Sequence, residues 1–379
     1  MGMLSPFAGF AGWRASLLNG MRITFLLPGA GRLPVGGLKV AYEYANALAL
    51  RGCSVSIVHG ACVYFDAPLR RRLRQRGVYI YRKVTDSYRP DSWFTVAPDV
   101  RILWMPSLDP CYVPDGDVVI ATAWPTAEWA SRYPAEKGKR YYLIQHWENW
   151  TGNEERLRAT WKAPLKKIVI ARWLQEIATN LGEESVYIPN GLDFSKFAVD
   201  IPIAERNSQS LAMLYHKLDW KGSDDGIRAI LLVRERIPEL QATLFGVSRR
   251  PPGLPSWIRY YSCPTQDNLR AIYNSSAIFT APSWAEGWPL PPAEAMMCGA
   301  ALAATDIGGH REYAVQDKTA LLSPAKAPEL LAENILRFIR DPDLRIRIAA
   351  QGNEWIRQFT WARAGDRMEV ALTQDLRAT

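Results

Sequence analysis

The amino-acid sequence predicts an α/β protein made of two doubly wound sheets that face each other across a cleft. Three observations favour this fold class. The chain has 379 residues, enough for two domains that each bury a core. A strand–helix–strand pattern begins near Arg22 and begins again near Leu211. Between the two, the polar residues 202–210 are typical of a linker. We therefore expect an amino-terminal domain over residues 21–201 and a carboxyl-terminal domain over residues 202–360.

The first domain opens with a buried strand over residues 22–27, a helix over 38–50 and a second strand over 54–59. The loop before the helix contains Gly36 and Gly37, where the backbone can approach a ligand closely. A dinucleotide fingerprint is not present, because the third glycine is missing and His59 stands where an acidic residue should end the second strand. A tight turn explains the two glycines equally well.

Further strands are predicted at residues 117–123, 139–145, 167–171 and 186–189, with a helix over residues 173–181. His146 follows the second of these strands, and Glu148 is close to it in sequence. Residues at the carboxyl ends of parallel strands often form sites, whereas a lone histidine is more often structural. Both interpretations of His146 stay open at this point.

The second domain repeats the pattern, with strands at 211–215, 241–245, 277–281 and 300–304. Ser223 is predicted to cap a helix that runs to residue 236, and Thr265 to cap a helix over residues 267–274. Helices are also expected at 327–340, 344–359 and 361–376. We expect the last one, within residues 361–379, to pack back on the first domain.

One stretch of the second domain concentrates the signals for a ligand site. Glu286 follows the predicted strand 277–281, and Glu294 is placed in the first turn of the next helix, where Pro291 and Pro292 are tolerated. A helix amino terminus attracts phosphate, and carboxylates bind hydroxyl groups well. Two carboxylates on either side of an anion site therefore indicate a sugar nucleotide.

A cationic loop, residues 217–222, opens into the same crevice. Lys217 and Lys221 follow the first strand of the second domain, and Gly222 ends the loop. Lysines and backbone N–H groups can neutralise a departing nucleoside diphosphate without a metal ion. Solvated surface charge is the alternative interpretation of these lysines.

These residues carry a family resemblance. Pro282-Ser-x-x-Glu286-Gly-x-x-Leu-Pro-x-x-Glu294-Ala-Met-x-Cys-Gly299 resembles the Glu-x7-Glu signature of retaining glycosyltransferases of family 4, which have the GT-B fold. Other matching parts are Gly36-Gly37, Ile188-Pro-Asn-Gly-Leu-Asp193, Lys221-Gly222, Gly308-Gly309-x-x-Glu312, and Asp341-Pro followed by Phe359-Thr-Trp361. The resemblance covers nearly the whole chain from Arg22 onward and is most specific in the second half.

The resemblance implies that Glu286 contacts hydroxyls of the donor sugar and Glu294 the ribose of the nucleotide. It further implies that Lys221 and the basic residue before it hold the diphosphate. His146 is similar in position to a donor-side histidine of the family, so the implied catalytic set is Glu286, Lys221 and His146. The implied donor-binding residues are Gly36, Gly37, Lys217, Lys221, Glu286, Gly287, Trp288, Leu290 and Glu294.

Two departures from the family pattern concern the donor. The family has arginine ahead of Lys-Gly, whereas here Lys217 or His216 must serve, and lysine offers no bidentate fork. Pro289 replaces a glycine of the family and removes one amide donor. We expect the Trp288–Pro289 pair to be the first place where the donor preference of this chain differs.

The predicted function is that of a retaining glycosyltransferase. It moves a sugar from a nucleoside-diphosphate-sugar donor to a hydroxyl of a glycan or glycoconjugate acceptor, in polysaccharide or cell-surface glycan biosynthesis. No cofactor and no metal is expected. The alternatives are a GT-B epimerase or phosphorylase, and a non-catalytic protein that binds sugar nucleotides or glycans.

Charge and cysteine content bear on the environment of the protein. The formal net charge is +8, and the densest basic cluster contains Arg70, Arg71, Arg72, Arg74 and Arg76. A solvated helix face and weak attachment to anionic lipid are its two interpretations. No nucleic-acid motif accompanies the charge.

Five scattered cysteines suggest no disulfide framework, which predicts a cytoplasmic protein. Residues 1–20 are interpreted as an extension, not as a signal peptide.

Overall fold

A computed structural model describes residues 18–31, 33–149 and 153–374 of the chain. The predicted extension over residues 1–20 lies outside the described residues except for its last three, where Leu18 is fully buried. The end of the last predicted helix, beyond residue 374, also lies outside them.

The first unit contains a seven-stranded parallel sheet with strand order β3-β2-β1-β4-β5-β6-β7. Its strands are β1 Arg22–Pro28, β2 Ser54–Cys62, β3 Arg101–Ser107, β4 Val118–Ala121, β5 Lys139–Ile144, β6 Lys166–Val169 and β7 Ser185–Tyr187. Its helices are α1 Gly36–Ala49, α2 Leu69–Val84, α3 Trp124–Ala130, α4 Glu154–Trp161 and α5 Arg172–Asn180. The order of strands reverses between β1 and β4, which pair in parallel.

The second unit contains a six-stranded parallel sheet with strand order β10-β9-β8-β11-β12-β13. Its strands are β8 Ser210–Leu214, β9 Gln241–Gly246, β10 Arg259–Ser262, β11 Ile278–Ala281, β12 Ala301–Thr305 and β13 Ala320–Ser323. Its helices are α6 Ser223–Arg236, α7 Gln266–Ser275, α8 Leu290–Met297, α9 Pro328–Arg340 and α10 Pro342–Ile356. Here the order reverses between β8 and β11. The loops after these two strands therefore border one crevice.

The larger of the two apolar clusters runs from the first sheet into the second unit. The rings of Phe197 and Tyr273 meet across this boundary with their centroids 5.6 Å apart. The second cluster lies within the carboxyl-terminal unit, where α6 packs against α9 and α9 packs against β11, β12 and β13. A continuous core ties the two units together at the base of the cleft.

The chain crosses between the units twice, and the two crossings run side by side. The Leu192 amide donates to the Phe359 carbonyl over 3.1 Å. A Cβ atom at Gly191 would lie 2.4 Å from the Trp361 amide, so only glycine allows this close approach. The last helix, α11 Trp361–Gln374, then lies on α1 of the first unit. The buried Arg51 guanidinium holds it through an ion pair of 2.6 Å with Asp366.

Two local predictions were wrong. Gly222 with φ of +60° occupies the cap position of α6, and the Ser223 hydroxyl instead accepts from the His216 amide over 2.8 Å. Ser223 therefore closes the preceding loop and does not cap the helix. Glu294 is the fifth residue of α8, in its second turn, because Pro289 is the cap and the helix begins at Leu290. The predicted cap at Thr265 is confirmed, since its hydroxyl accepts from the Asn268 amide over 3.2 Å.

Candidate active site

The site is centred on an ion pair at the reversal point of the second sheet. Lys221 lies in the loop after β8, and Glu286 lies in the loop after the neighbouring strand β11. The Lys221 Nζ is 2.8 Å from both carboxylate oxygens of Glu286. Both side chains are mostly buried, so the attraction between them is screened far less than on the surface.

Glu286 is held in its charged form. Burial on its own raises the pKa of Glu286, but the Lys221 ammonium outweighs it, and the net pKa is below the ordinary value. The Ser283 hydroxyl contributes by donating to Oε1 over 2.9 Å. The carboxylate is therefore an acceptor of hydrogen bonds, as is needed to bind sugar hydroxyls.

Glu294 faces the other unit. Its Oε1 lies 2.8 Å from the Nζ of Lys39, which stands on α1 of the first unit. Its Oε2 accepts from the Tyr273 hydroxyl over 3.2 Å. Burial on its own lowers the pKa of Lys39, but Glu294 raises it above the ordinary value, so Lys39 stays protonated. Lys39 and Glu294 thus form an ion pair across the cleft.

Three histidines surround the Lys221–Glu286 pair. His146 follows β5 of the first unit, and its ring packs edge-on against Trp173 with centroids 5.6 Å apart. His216 lies in the loop after β8, and His310 is fully buried beyond β12. Burial lowers the pKa of each, and the charges of Lys221 and Glu286 act on all three rings. They are therefore neutral at physiological pH.

His310 has a defined tautomer. Its Nδ1 lies 2.7 Å from the Thr305 carbonyl oxygen, which can only accept, so the proton is on Nδ1. Nε2 has no hydrogen-bond partner among the residues that the structure describes. The sequence reasoning did not single out His310. Its position directly beyond the carboxyl end of β12 is the signal that could have identified it.

The glycines of the cleft mark close approaches between the units. A Cβ atom at Gly287 would lie 1.8 Å from the Gln145 carbonyl oxygen, so the loop after β11 touches the end of β5. The Gln145 side chain donates to the Gly37 carbonyl over 3.1 Å. Gly37 and Gly287 are therefore joined through one residue, whereas a Cβ at Gly36 would meet open space.

Glu312 connects the units on the far side of the site. Its Oε1 accepts from the Arg172 amide over 2.6 Å, at the first residue of α5. Its Oε2 accepts from the Tyr187 hydroxyl over 2.5 Å. The Trp173 indole donates to the Gly287 carbonyl over 3.1 Å at the same boundary. A carboxylate of the second unit therefore occupies the amino terminus of a helix in the first.

The structure brings some of the predicted site side chains together but not all. Lys221, Glu286 and His146 lie around one point, and Glu294 lies on the next helix. Lys217 is exposed and forms no ion pair with any residue in the described ranges. The Trp288 indole is 4% exposed and packs on Tyr313 and Phe359, and the Leu290 side chain is 8% exposed. The side chains of Trp288 and Leu290 both belong to the apolar core.

No group of three or more histidine, cysteine, aspartate or glutamate side chains has the geometry of a metal site among residues 18–31, 33–149 and 153–374. The positive charge of the site comes from Lys221 and Lys39. Within the same part of the chain, no helix is long and apolar enough to span a membrane.

The family model that matches this chain covers part of the second unit. Residues 256–355 match the model of the family described as glycosyl transferases group 1. This range contains β10, α7, β11, the Glu286 loop and α8.

Curated relatives match part of the chain. Phosphatidyl-myo-inositol mannosyltransferase of Mycobacterium tuberculosis is 25% identical over 205 residues, which are 50% of this chain and 53% of the relative. D-inositol 3-phosphate glycosyltransferase of Corynebacterium efficiens is 28% identical over 158 residues, 38% of this chain and 37% of the relative. The chain spans about half or less of the length of these relatives.

Solved structures match almost the whole chain. Sucrose-phosphate synthase of Thermosynechococcus elongatus has a TM-score of 0.69 at 16% identity and covers 95% of this chain and 100% of its own. HepE of Anabaena, in complex with UDP, has a TM-score of 0.70 at 15% identity, covering 93% and 100%. This chain has the GT-B fold. At such identities the likeness establishes the fold alone.

Proposed function

We propose that the protein is a retaining glycosyltransferase that moves a sugar from a nucleoside-diphosphate-sugar donor to a hydroxyl of a glycan or glycoconjugate acceptor. The observation that carries the proposal is the Lys221–Glu286 pair. It lies where the second sheet reverses its strand order, beside the start of α8 and opposite the first unit. A ligand with hydroxyls and phosphates fits this combination of carboxylate, ammonium and helix terminus.

In this proposal the two carboxylates bind different parts of the donor. Glu286 accepts hydrogen bonds from the sugar hydroxyls, and Glu294 accepts them from the ribose. Lys221, which pairs with Glu286 in the structure, turns toward the diphosphate when donor enters. Its ammonium group then stabilises the negative charge that develops on the leaving diphosphate as the glycosidic bond breaks. Lys217 lies in the same loop with an exposed side chain, and we propose that it also binds the diphosphate.

His146 is proposed as the residue of the first unit that faces the reacting sugar. Its neutral ring lies within reach of the Glu286 and Lys221 charges. In a retaining transfer the acceptor hydroxyl attacks from the face that the diphosphate leaves, and the departing phosphate takes the acceptor proton. No second carboxylate on the opposite face is required, in contrast to a retaining hydrolase. We propose no metal and no cofactor for this step.

The comparisons support the same class of substrate. One solved HepE complex is described as containing UDP and glucose, and the curated relatives are named as enzymes that transfer mannose or another sugar. We propose polysaccharide or cell-surface glycan synthesis in the cytoplasm as the setting. An epimerase, a phosphorylase or a non-catalytic binding protein is the less favoured alternative. Release of nucleoside diphosphate that depends on acceptor separates a transferase from all three.

A thermal-shift screen tests the donor site. The melting temperature of the full chain is measured alone and with UDP-, GDP-, ADP- and dTDP-sugars. The same measurements are made on the Glu294→Gln variant. We expect one nucleotide class to raise the melting temperature of the wild-type protein and to raise that of Glu294→Gln much less. If no nucleotide sugar changes the melting temperature, the assignment of the donor site is wrong.

A further inference from the structure

The helix α2, Leu69–Val84, differs from the other α-helices in the described ranges because its apolar residues are exposed to solvent. None of its 16 residues is buried. Each of the other ten α-helices in the described ranges has buried residues. Its contact with the protein is made by a polar face. The Trp104 indole donates to the Tyr79 carbonyl over 2.9 Å, and the Arg82 guanidinium lies over the Trp104 ring.

The apolar residues of α2 form a stripe on its outer side. Leu69, Leu73, Ile80 and Val84 follow one another at spacings of four, seven and four, which places them on one face of a helix. They are 71%, 56%, 60% and 79% exposed. Amphipathic helices of globular proteins normally turn such a stripe toward the core. Here the stripe faces away from the protein.

Basic residues border the stripe on both sides. On a helical projection, Arg72, Arg76 and Lys83 flank one edge, and Arg70 and Arg74 flank the other. The helix has no acidic residue, and none of its arginines from Arg70 to Arg76 forms an ion pair with an acidic residue in the part of the chain that the structure describes. The charge of this surface is therefore not compensated within the protein.

A groove of about 630 Å³ lies beside the helix and extends the same charge inward. It is lined by Arg70, Arg71, Arg74, Gln75 and Val78 of α2 and by Ala61 at the end of β2. Three guanidinium groups around one groove suit phosphate oxygens, which arginine binds in a bidentate manner. Both the outer flanks of α2 and this groove thus favour an anionic partner.

We propose that α2 is an interfacial helix that docks the protein on an anionic membrane surface. The stripe of Leu69, Leu73, Ile80 and Val84 enters the boundary between headgroups and acyl chains, and the flanking arginines bind lipid phosphates. An outer apolar face with basic residues on both edges is the pattern of helices that lie in the plane of a membrane. A second copy of this chain is disfavoured as the partner, because the five cations that flank the stripe on each copy would face each other.

This inference goes beyond the proposed transferase activity and gives it a location. The groove opens at the carboxyl end of β2, the end of the sheet where the first unit contributes to the cleft. An enzyme held in this way takes an acceptor that is itself at a membrane surface.

Vesicle flotation with the full chain tests the proposal. The probes are vesicles of phosphatidylcholine alone and of phosphatidylcholine mixed with phosphatidylglycerol. We expect binding only to the mixed vesicles, and we expect added salt to weaken it. Arg72→Gln/Arg76→Gln removes two cations and should reduce the affinity about thirty-fold. Leu73→Glu/Ile80→Glu removes the insertion and should abolish binding. All four side chains are exposed, so both variants should keep the melting temperature of the wild type.

Matched controls place equivalent changes elsewhere. Leu330→Glu alters a leucine of α9 that is 51% exposed, and Arg249→Gln/Arg340→Gln removes two exposed cations of the second unit. Both should bind the mixed vesicles as the wild type does. The proposal is overturned if the wild type binds neither kind of vesicle, or if the α2 variants bind as well as these controls. A dimer that forms in solution and is lost in Leu73→Glu/Ile80→Glu would also overturn it, since the stripe would then serve a second copy.

Discussion

The Nζ atom of Lys39 lies 2.8 Å from Oε1 of Glu294, and this contact joins α1 of the first unit to α8 of the second across the cleft. The two residues are 255 positions apart in sequence. Both side chains are mostly buried, so neither charge is well solvated if the other is removed. In the proposed donor site Glu294 binds the ribose, and Lys39 holds the same carboxylate when donor is not bound.

Lys39→Met should loosen the contact between the two units. It leaves the buried Glu294 carboxylate without its cation, at a cost of about 3 kcal/mol. We expect a lower melting temperature and a larger radius of gyration by small-angle X-ray scattering. Lys39→Met/Glu294→Gln should recover most of the lost stability, because it removes the unpaired charge as well. Lys318→Met, an exposed lysine of the second unit, is the control. Equal scattering from Lys39→Met and Lys318→Met would contradict the account.

Glu312 should matter for stability more than its neighbour Arg311. Glu312→Ala leaves the Arg172 amide and the Tyr187 hydroxyl without their acceptor at the boundary of the two units. We expect a loss of about 1–3 kcal/mol in the free energy of unfolding. Arg311→Ala breaks only an exposed pair with Asp306 and should cost less than about 1 kcal/mol. Denaturant unfolding of the two variants compares these values, and equal losses would show that Glu312 does not connect the units.

The buried Glu43 of α1 should give the protein a pH-dependent stability. Burial raises the pKa of Glu43 from 4.5 to about 7. The charges of Lys196 and Lys39 lower this pKa, whereas those of Asp193 and Glu294 raise it. The unfolded state therefore loses its proton first, and stability falls as the pH rises from about 4.5 to about 7. Above this range the cost is on the order of 3 kcal/mol.

Glu43→Gln removes this cost, since the amide does not ionise. The variant should unfold at higher denaturant concentration than the wild type near about pH 8, and the difference should vanish near about pH 4. Parallel stability curves over this range would mean that Glu43 ionises freely in the folded protein.

Trp288 should act through the core and not through donor choice. Its indole packs on Tyr313 at 4.9 Å and on Phe359 at 5.6 Å between ring centroids. Trp288→Ala should cost about 3–5 kcal/mol of stability, whereas Trp355→Ala at an exposed site should cost little. We expect the order of preference among nucleotide sugars to stay the same in Trp288→Ala when it is measured well below its melting temperature. A changed order would show that Trp288 influences donor choice.

The interior strands could be predicted from the sequence, whereas three of the four edge strands could not. The interior strands are rich in apolar residues, because helices cover both faces of a parallel sheet. The strands missed were β3, β10 and β13, all at sheet edges. Of these, β10 has the sequence Arg-Tyr-Tyr-Ser and is mostly exposed, so no apolar periodicity marks it.

The candidate site was predictable where its residues follow strands of one sheet. Glu286 and Lys221 both come after strands that prove to be neighbours, and their contact follows from that order. The contacts between the units were not predictable. Lys39 stands in an apolar helical run, and nothing in that run identifies Glu294 as its partner. The burial of Trp288 was likewise not predictable, because it depends on packing against Tyr313 and Phe359.

In the proposed reaction, Glu286 binds the sugar of a nucleotide donor, and this sugar is transferred to an acceptor. The most direct measurement is the release of nucleoside diphosphate, with and without an acceptor extract, by the wild type and by Glu286→Gln. We expect release that requires acceptor in the wild type and falls about 100-fold or more in Glu286→Gln at an unchanged fold. Lys318→Ala should release it at the wild-type rate. Release that does not depend on acceptor, or that persists in Glu286→Gln, would contradict the account.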